Sequence, residues 1–196
     1  MSPERQLEIL LAEARACRHC TDLPLGPRPV LRASLTSRLL IIGQAPGTKV
    51  HETGIPWNDR SGQRLRDWLQ MTPEDFYDET RIAIIPTGLC YPGRDPKGGD
   101  LPPRPDCAPL WHPRLIPALP AIRLTLLVGS YAQAVHLGKR RKASMTETVR
   151  SWRDYGDMLP LPHPSWRTTG WEKANPWFAD QLLPDLRCRL ALLMQP

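Results

Sequence analysis

No apolar run in this chain approaches the roughly 20 residues that a membrane-spanning helix needs, so no membrane partner is expected. The stretch from Met1 to Arg15 is charged and has no apolar core of the signal-peptide kind, which makes a cytoplasmic protein the expectation. Internal repeats and low-complexity tracts are absent, and repeat architectures with them. Acidic residues are in deficit, 20 against 26 Lys and Arg, giving a formal charge of +6 and a pI near 9.3. That balance favours a polyanionic partner.

The composition is globular, 41% hydrophobic and 23% charged over 196 residues, enough for a single domain spanning 1–196 with a sizeable core. Proline is plentiful: 23 residues, more than twice its usual share of about 5%, imply much fixed loop between regular elements. Five cysteines in a cytosolic chain point to metal or redox chemistry before disulfides.

Leu7, Leu10, Leu11 and Ala14 recur at helical spacing and predict an amphipathic helix over 4–16. Leu39-Leu40-Ile41-Ile42 predicts a buried strand over 38–43, of the kind found in a parallel sheet covered on both faces. Gly43, Pro46 and Gly47 end it sharply, and their small bulk lets backbone N–H groups approach a ligand. In an open α/β sheet, ligands bind in the crevice beyond the carboxyl ends of the strands. The loop is expected to run on to Arg60. Ser61 then caps a helix whose buried stripe is Leu65, Trp68 and Leu69, and Thr72-Pro73-Glu74 starts a further short turn.

Further strands are predicted over 81–85, 122–128 and 157–161. Helices are predicted over 106–118, bent at Pro113, and from Ser130 to Gly138, with Ser130 and Gln133 as a capping box. A C-terminal helix starts at Asn175-Pro176 and is kinked by Pro184. The Pro- and Gly-rich stretch from Tyr91 to Pro105 is too long for a simple connector and marks a functional loop. The alternation predicts an α/β fold: three layers, α/β/α, with a central four-stranded, mostly parallel sheet. The loops after its first and fourth strands then open on one edge.

Two features carry chemistry. Cys17 and Cys20 are separated by two residues and Cys90 and Cys107 by sixteen, which suits a four-thiolate site for zinc or an iron–sulfur cluster, with buried free thiols as the alternative. Cys188 reads as such a free thiol. His163, set between prolines and beside Ser165, is held rigidly and can offer a ring N–H to developing negative charge. Ser165 can bind a phosphate.

Gly43-Gln44-Ala45-Pro46-Gly47, the sequel Gly54-Ile55-Pro56-Trp57, the four cysteines and His163-Pro164-Ser165 together resemble the uracil-DNA glycosylase superfamily. The resemblance spans residue 15 to about residue 178 and is strongest to the thermophile-type branch with its four-cysteine cluster. It implies a DNA partner, a [4Fe–4S] cluster on Cys17, Cys20, Cys90 and Cys107 with zinc as the alternative, and a monomer. It places base stacking on Trp57, catalysis on His163 and Gln44, substrate contacts on Gly43, Ala45 and Ser165, and the side chain that fills the emptied base stack on Arg167.

The sequence departs from that family at the end of the second strand, where an asparagine usually reads the uracil edge. Here Ile85-Pro86-Thr87-Gly88-Leu89-Cys90 stands instead, leaving Thr87, or Asn58 from the first loop, as candidates. Gln44 replaces the branch's glutamate, and Ala45 stands where other branches orient water with an aspartate, so Gln44, Asn58, Asp59 or backbone is left to orient the water and catalysis is assigned to His163, Gln44 and Asn58. Neither motif loop has a lysine suited to a Schiff base, so the expected enzyme is a monofunctional uracil-DNA glycosylase that flips the base and leaves an abasic site. The alternatives are an iron–sulfur nucleic-acid-binding protein with lost or altered catalysis, and a glycosylase for another deaminated base such as hypoxanthine. The run Lys139-Arg140-Arg141-Lys142 is a candidate phosphate contact in a basic chain.

Overall fold

The computed structural model describes residues 1–195; Pro196, the last residue of the expected domain, lies outside the described residues. In chain order the elements are α1 (Pro3–Arg15), β1 (Leu39–Ile42), α2 (Thr48–Thr53), α3 (Arg60–Leu69), α4 (Pro73–Phe76), β2 (Ile82–Ile84) and α5 (Cys107–Leu115). There follow β3 (Leu124–Val128), α6 (Ser130–Leu137), α7 (Met145–Arg150), β4 (Met158–Leu161), α8 (Thr168–Ala174) and α9 (Leu183–Leu193).

The strands lie in the order β2-β1-β3-β4, and every strand pairing is parallel. The expectation of a mostly parallel sheet thus becomes an all-parallel one. Its antiparallel pairing is a single bridge, Arg32 to Ile84, which covers the outer edge of β2. Period-two alternation sends Leu39 and Ile41 of β1 into one core and Leu40 and Ile42 into the other. α3, α4 and α9 cover the first face through Leu65, Phe76 and Leu186; α1, α5 and α6 cover the second through Leu11, Trp111 and Leu137. Each buried Leu or Ile contributes about 1.5–3 kcal/mol of transfer free energy, which is why a sheet sealed on both faces reads as continuous apolar runs.

Several local expectations are corrected. Asp59, not Ser61, caps α3: its carboxylate accepts the Gly62 N–H at 2.7 Å. Ser130 is the first residue of α6, whose cap is Gly129 with no side-chain bond, and Gln133 is buried. The Gln133 amide instead donates to the Leu161 carbonyl at 2.8 Å, tying the end of β4 to the helix after β3. Residues 48–53 form a short helix where loop had been expected, and residues 168–174 form another in a stretch given no element from sequence.

Pro184 sits in the first turn of α9. It has no N–H to offer the carbonyl four residues back, and the chain before it widens: residues 178–182 form a π turn in which the Leu183 N–H reaches the Phe178 carbonyl. Among the described residues no helix is long and apolar enough to cross a membrane.

Candidate active site

β1 leads through its crossover to β2 on one side, and the chain then passes to β3 on the other, so the sheet reverses direction between β1 and β3. That is a switch point, and the crevice outside it is where a parallel sheet binds ligands. A cleft of about 510 Å³ lies there. Gly43, Gln44 and Ala45 line it from the loop after β1, His163, Ser165 and Arg167 from the loop after β4, and Trp57 from the entry to α3.

The first loop is latched to the end of β2. The Thr87 N–H and hydroxyl both donate to the Gly43 carbonyl, at 2.9 and 2.7 Å, and the Gly88 N–H donates to the Gln44 carbonyl at 2.8 Å. Trp57 closes against this loop. A Cβ on Gly43 would stand 2.6 Å from the Trp57 ring, so glycine is needed there for the indole to lie flat on the backbone. Trp57 itself has φ +56°, a left-handed conformation costly for a bulky residue and met mostly where function demands it. The Trp57 and His163 ring centroids are 5.9 Å apart, inclined at 36°.

Arg64 of α3 holds the second loop: its guanidinium donates to the Ser165 carbonyl at 3.0 Å, to the Thr169 hydroxyl at 2.9 Å and to Glu172 at 2.7 Å. The Ser165 N–H and the Thr168 hydroxyl donate to the His163 carbonyl. Among the described residues no hydrogen bond engages the His163 ring itself. Burial lowers its pKa below the ordinary histidine value, and the Asp59 charge opposes this more weakly. At neutral pH the ring is an uncharged N–H donor facing the cleft.

Not every expected residue converges. Thr87 is buried, spends its hydroxyl on Gly43 and does not line the cleft. It braces the loop and is not placed to read a base. Asn58 does not line the cleft either; its neighbour Asp59 does. The Gln44 amide N–H₂ donates to the Leu101 carbonyl at 3.0 Å, so its nitrogen serves the 91–105 loop. Arg167 lies against Gly98 and Gly99 of that loop and beneath the Trp166 ring, 5.6 Å away. Trp166 is 79% exposed at the mouth.

Sequence reading missed Arg94 and Asp100, which line the cleft from the hairpin paired between Arg94 and Asp100. The loop was legible as functional; which of its side chains turn inward depends on that bridge.

Cys17, Cys20, Cys90 and Cys107 line one small recess behind this loop, with Leu89 and Trp111. Burial pushes the Cys90 thiol up to about 12 and the Cys107 thiol up to about 11, and the other cysteines push the same way. The Leu89 N–H donates to the Cys107 sulfur at 3.2 Å, the kind of bond that accompanies sulfur ligands of iron clusters. Among the described residues no three His, Cys, Asp or Glu side chains are grouped to hold a single metal ion. Four thiols is the donor number of a Cys₄ zinc site and of an iron–sulfur cluster alike.

An open parallel sheet with a stacking aromatic and an unpartnered histidine facing across its switch-point cleft has the build of an enzyme that withdraws a nucleobase from its strand. A family model for the uracil DNA glycosylase superfamily matches residues 32–187, and the chain belongs to that superfamily. The family supports a DNA repair hydrolase of the glycosylase class, with DNA as substrate. Cys17 and Cys20 precede the matched span.

Proposed function

We propose that this protein is a monofunctional uracil-DNA glycosylase acting on a base flipped into the cleft. The observation that carries the reading is the pairing of Trp57 and His163 across one cavity, the indole offering a stacking face and the imidazole an unspent N–H. Scission of the C1′–N bond leaves an oxocarbenium-like sugar and sends an electron pair to the base. His163, neutral, donates to the oxygen on which that charge settles. Ser165 is placed to hold a flanking phosphate, and Trp166 and Arg167 share the mouth that faces the emptied stack. In this reading the protein is a cytoplasmic monomer.

Cys17, Cys20, Cys90 and Cys107 are the residues that would hold a [4Fe–4S] cluster. Such a cluster, when bound, would cross-link the N-terminal segment to the domain.

A second reading, excision of hypoxanthine, is favoured by the end of β2. Pro86 lines the cleft there and has no side-chain amide, and Thr87 is turned away. Incubating the protein with oligonucleotides carrying uracil, hypoxanthine or xanthine, followed by alkaline cleavage, separates the readings. Uracil release supports the first and hypoxanthine release the second. DNA binding with no base released supports a binding protein that keeps the fold.

A further inference from the structure

We propose that Asp100, delivered by the 91–105 loop, is the catalytic base that activates water in this cleft; the proposal rests on the glycosylase reading. The first motif carries no carboxylate of its own, since Gln44 and Ala45 occupy the positions after Gly43. Nor is Gln44 free to act alone. Its amide nitrogen holds the carbonyl of Leu101, the neighbour of Asp100, while the Leu101 N–H donates to the Gly93 carbonyl at 2.9 Å and Arg94 bridges Asp100. The motif loop thus clamps a small hairpin over itself, and the residue presented at the clamp is a carboxylate.

Two carboxylates meet there. A Cβ built on Gly47 would lie 3.3 Å from Asp100 Oδ2 and 4.0 Å from Asp59 Oδ2. Asp59 spends Oδ1 on the cap of α3 and has Oδ2 free toward the same point. A side chain at position 47 would crowd the Asp100 carboxylate, and glycine leaves that approach open. The two acids differ in role: Asp59 is fixed by its cap, whereas no hydrogen bond engages the Asp100 carboxylate among the described residues. Burial raises the Asp100 pKa, the Asp59 charge adds to this, and Arg94 opposes it. An acid raised by burial and by a like neighbour is a better proton acceptor than an exposed carboxylate.

The step balances. The C1′–N bond breaks with its electron pair going to the base, held by the His163 N–H. The oxygen of water bonds to C1′, and the proton it loses passes to Asp100. The titratable and charged groups facing Asp100 are Asp59 from the α3 cap, Arg94 from its own hairpin, and neutral His163 and cationic Arg167 from the loop after β4.

Single-turnover excision at saturating DNA, on oligonucleotides carrying uracil, hypoxanthine or xanthine, tests the proposal. Asp100→Asn should lower the rate about a hundred-fold, within the range for loss of a general base, with DNA affinity kept or tightened. The wild-type rate should fall in acid as Asp100 protonates. Arg94→Ala removes a charge that favours ionised Asp100 and should move that fall to higher pH. Asp100→Asn within threefold of wild type, or an acid fall unmoved in Arg94→Ala, overturns the assignment. Wild-type protein that binds DNA but releases none of the three bases overturns the glycosylase reading and this proposal together.

Discussion

His163 is uncharged because its surroundings exclude water, and its ring is unpartnered until substrate arrives. A donor of this kind, aimed where negative charge develops, typically accounts for about a hundred- to a thousand-fold in rate. His163→Ala should lose that factor in single-turnover excision while gel-shift affinity stays within a few-fold. Trp57→Ala should instead weaken capture of the extruded base by about 1–3 kcal/mol, visible in fluorescence of a base analogue at the target position. Gly62 is a structural counterpart to these. A Cβ there would stand 1.7 Å from the Trp57 carbonyl, a backbone atom that cannot swing aside. Gly62→Ala should therefore destabilise the fold by about 1–3 kcal/mol in urea titration and reduce activity through a displaced Trp57.

At the scale of elements, the basic run and the cleft part company. α6 starts at the cleft edge, and Lys139 to Lys142, just beyond its end, do not line the cleft. Lys142 pairs with Asp154 at 3.1 Å and Arg140 lies over Tyr155, both just ahead of β4. Arg94 and Arg167 are the cations at the mouth. Replacing these two with alanine should flatten the dependence of DNA affinity on salt, while replacing Lys139, Arg140, Arg141 and Lys142 should leave the slope near that of wild type. Titrating a fluorescent duplex across a range of salt checks both.

The main strands and the larger helices were legible because their apolar runs report burial directly. α2 and α8 were not, since helices of six or seven residues are too short to show a period and owe their helicity to what they pack against. The cap at Asp59 was missed for a related reason: Asp59 and Ser61 are both good caps in sequence, and only the backbone decides between them, extended at Asp59 and already helical at Ser61. Gly43, Trp57 and His163 could be named in advance because motif spacing carries them. Asp100 could not, because its place depends on a hairpin closed by backbone bonds and by Gln44.

For the whole molecule, buried histidines set the response to acid. The His112 Nε2–H donates to the Pro86 carbonyl at 3.1 Å, and His112 Nδ1 lies 2.9 Å from Nε2 of His136, so a carbonyl at one end fixes the direction of the chain: His136 donates to His112. Burial lowers the pKa of His112 and of His163, and takes His136 down to about 4, with the His112 charge as the lesser cause. A folded value below the unfolded value of about 6.5 means that the unfolded chain binds more protons in between. Stability should be flat between about pH 6.5 and 8 and decline as pH falls from about 6.5 toward 4, where His136 titrates. Melting temperatures followed across that window check this, and His136→Gln should make the decline shallower.

The 91–105 loop leaves from Cys90 and returns at Cys107, both in the same recess as Cys17 and Cys20. If those thiolates share one metal centre, the loop becomes a closed ring of chain, its two ends fixed while its far side carries Asp100 over the cleft. A ring of this length has little freedom to wander, whereas the same segment cut loose at both ends gains the entropy that closure removes. Anaerobically prepared protein should be brown and contain iron. Stripping that iron with a chelator should loosen the far side of the ring first, so that amide exchange at 94–101 and loss of excision precede any loss of the sheet. Metal at the back of the molecule would then govern water at the front through nothing more than the tension of a tethered strand of chain.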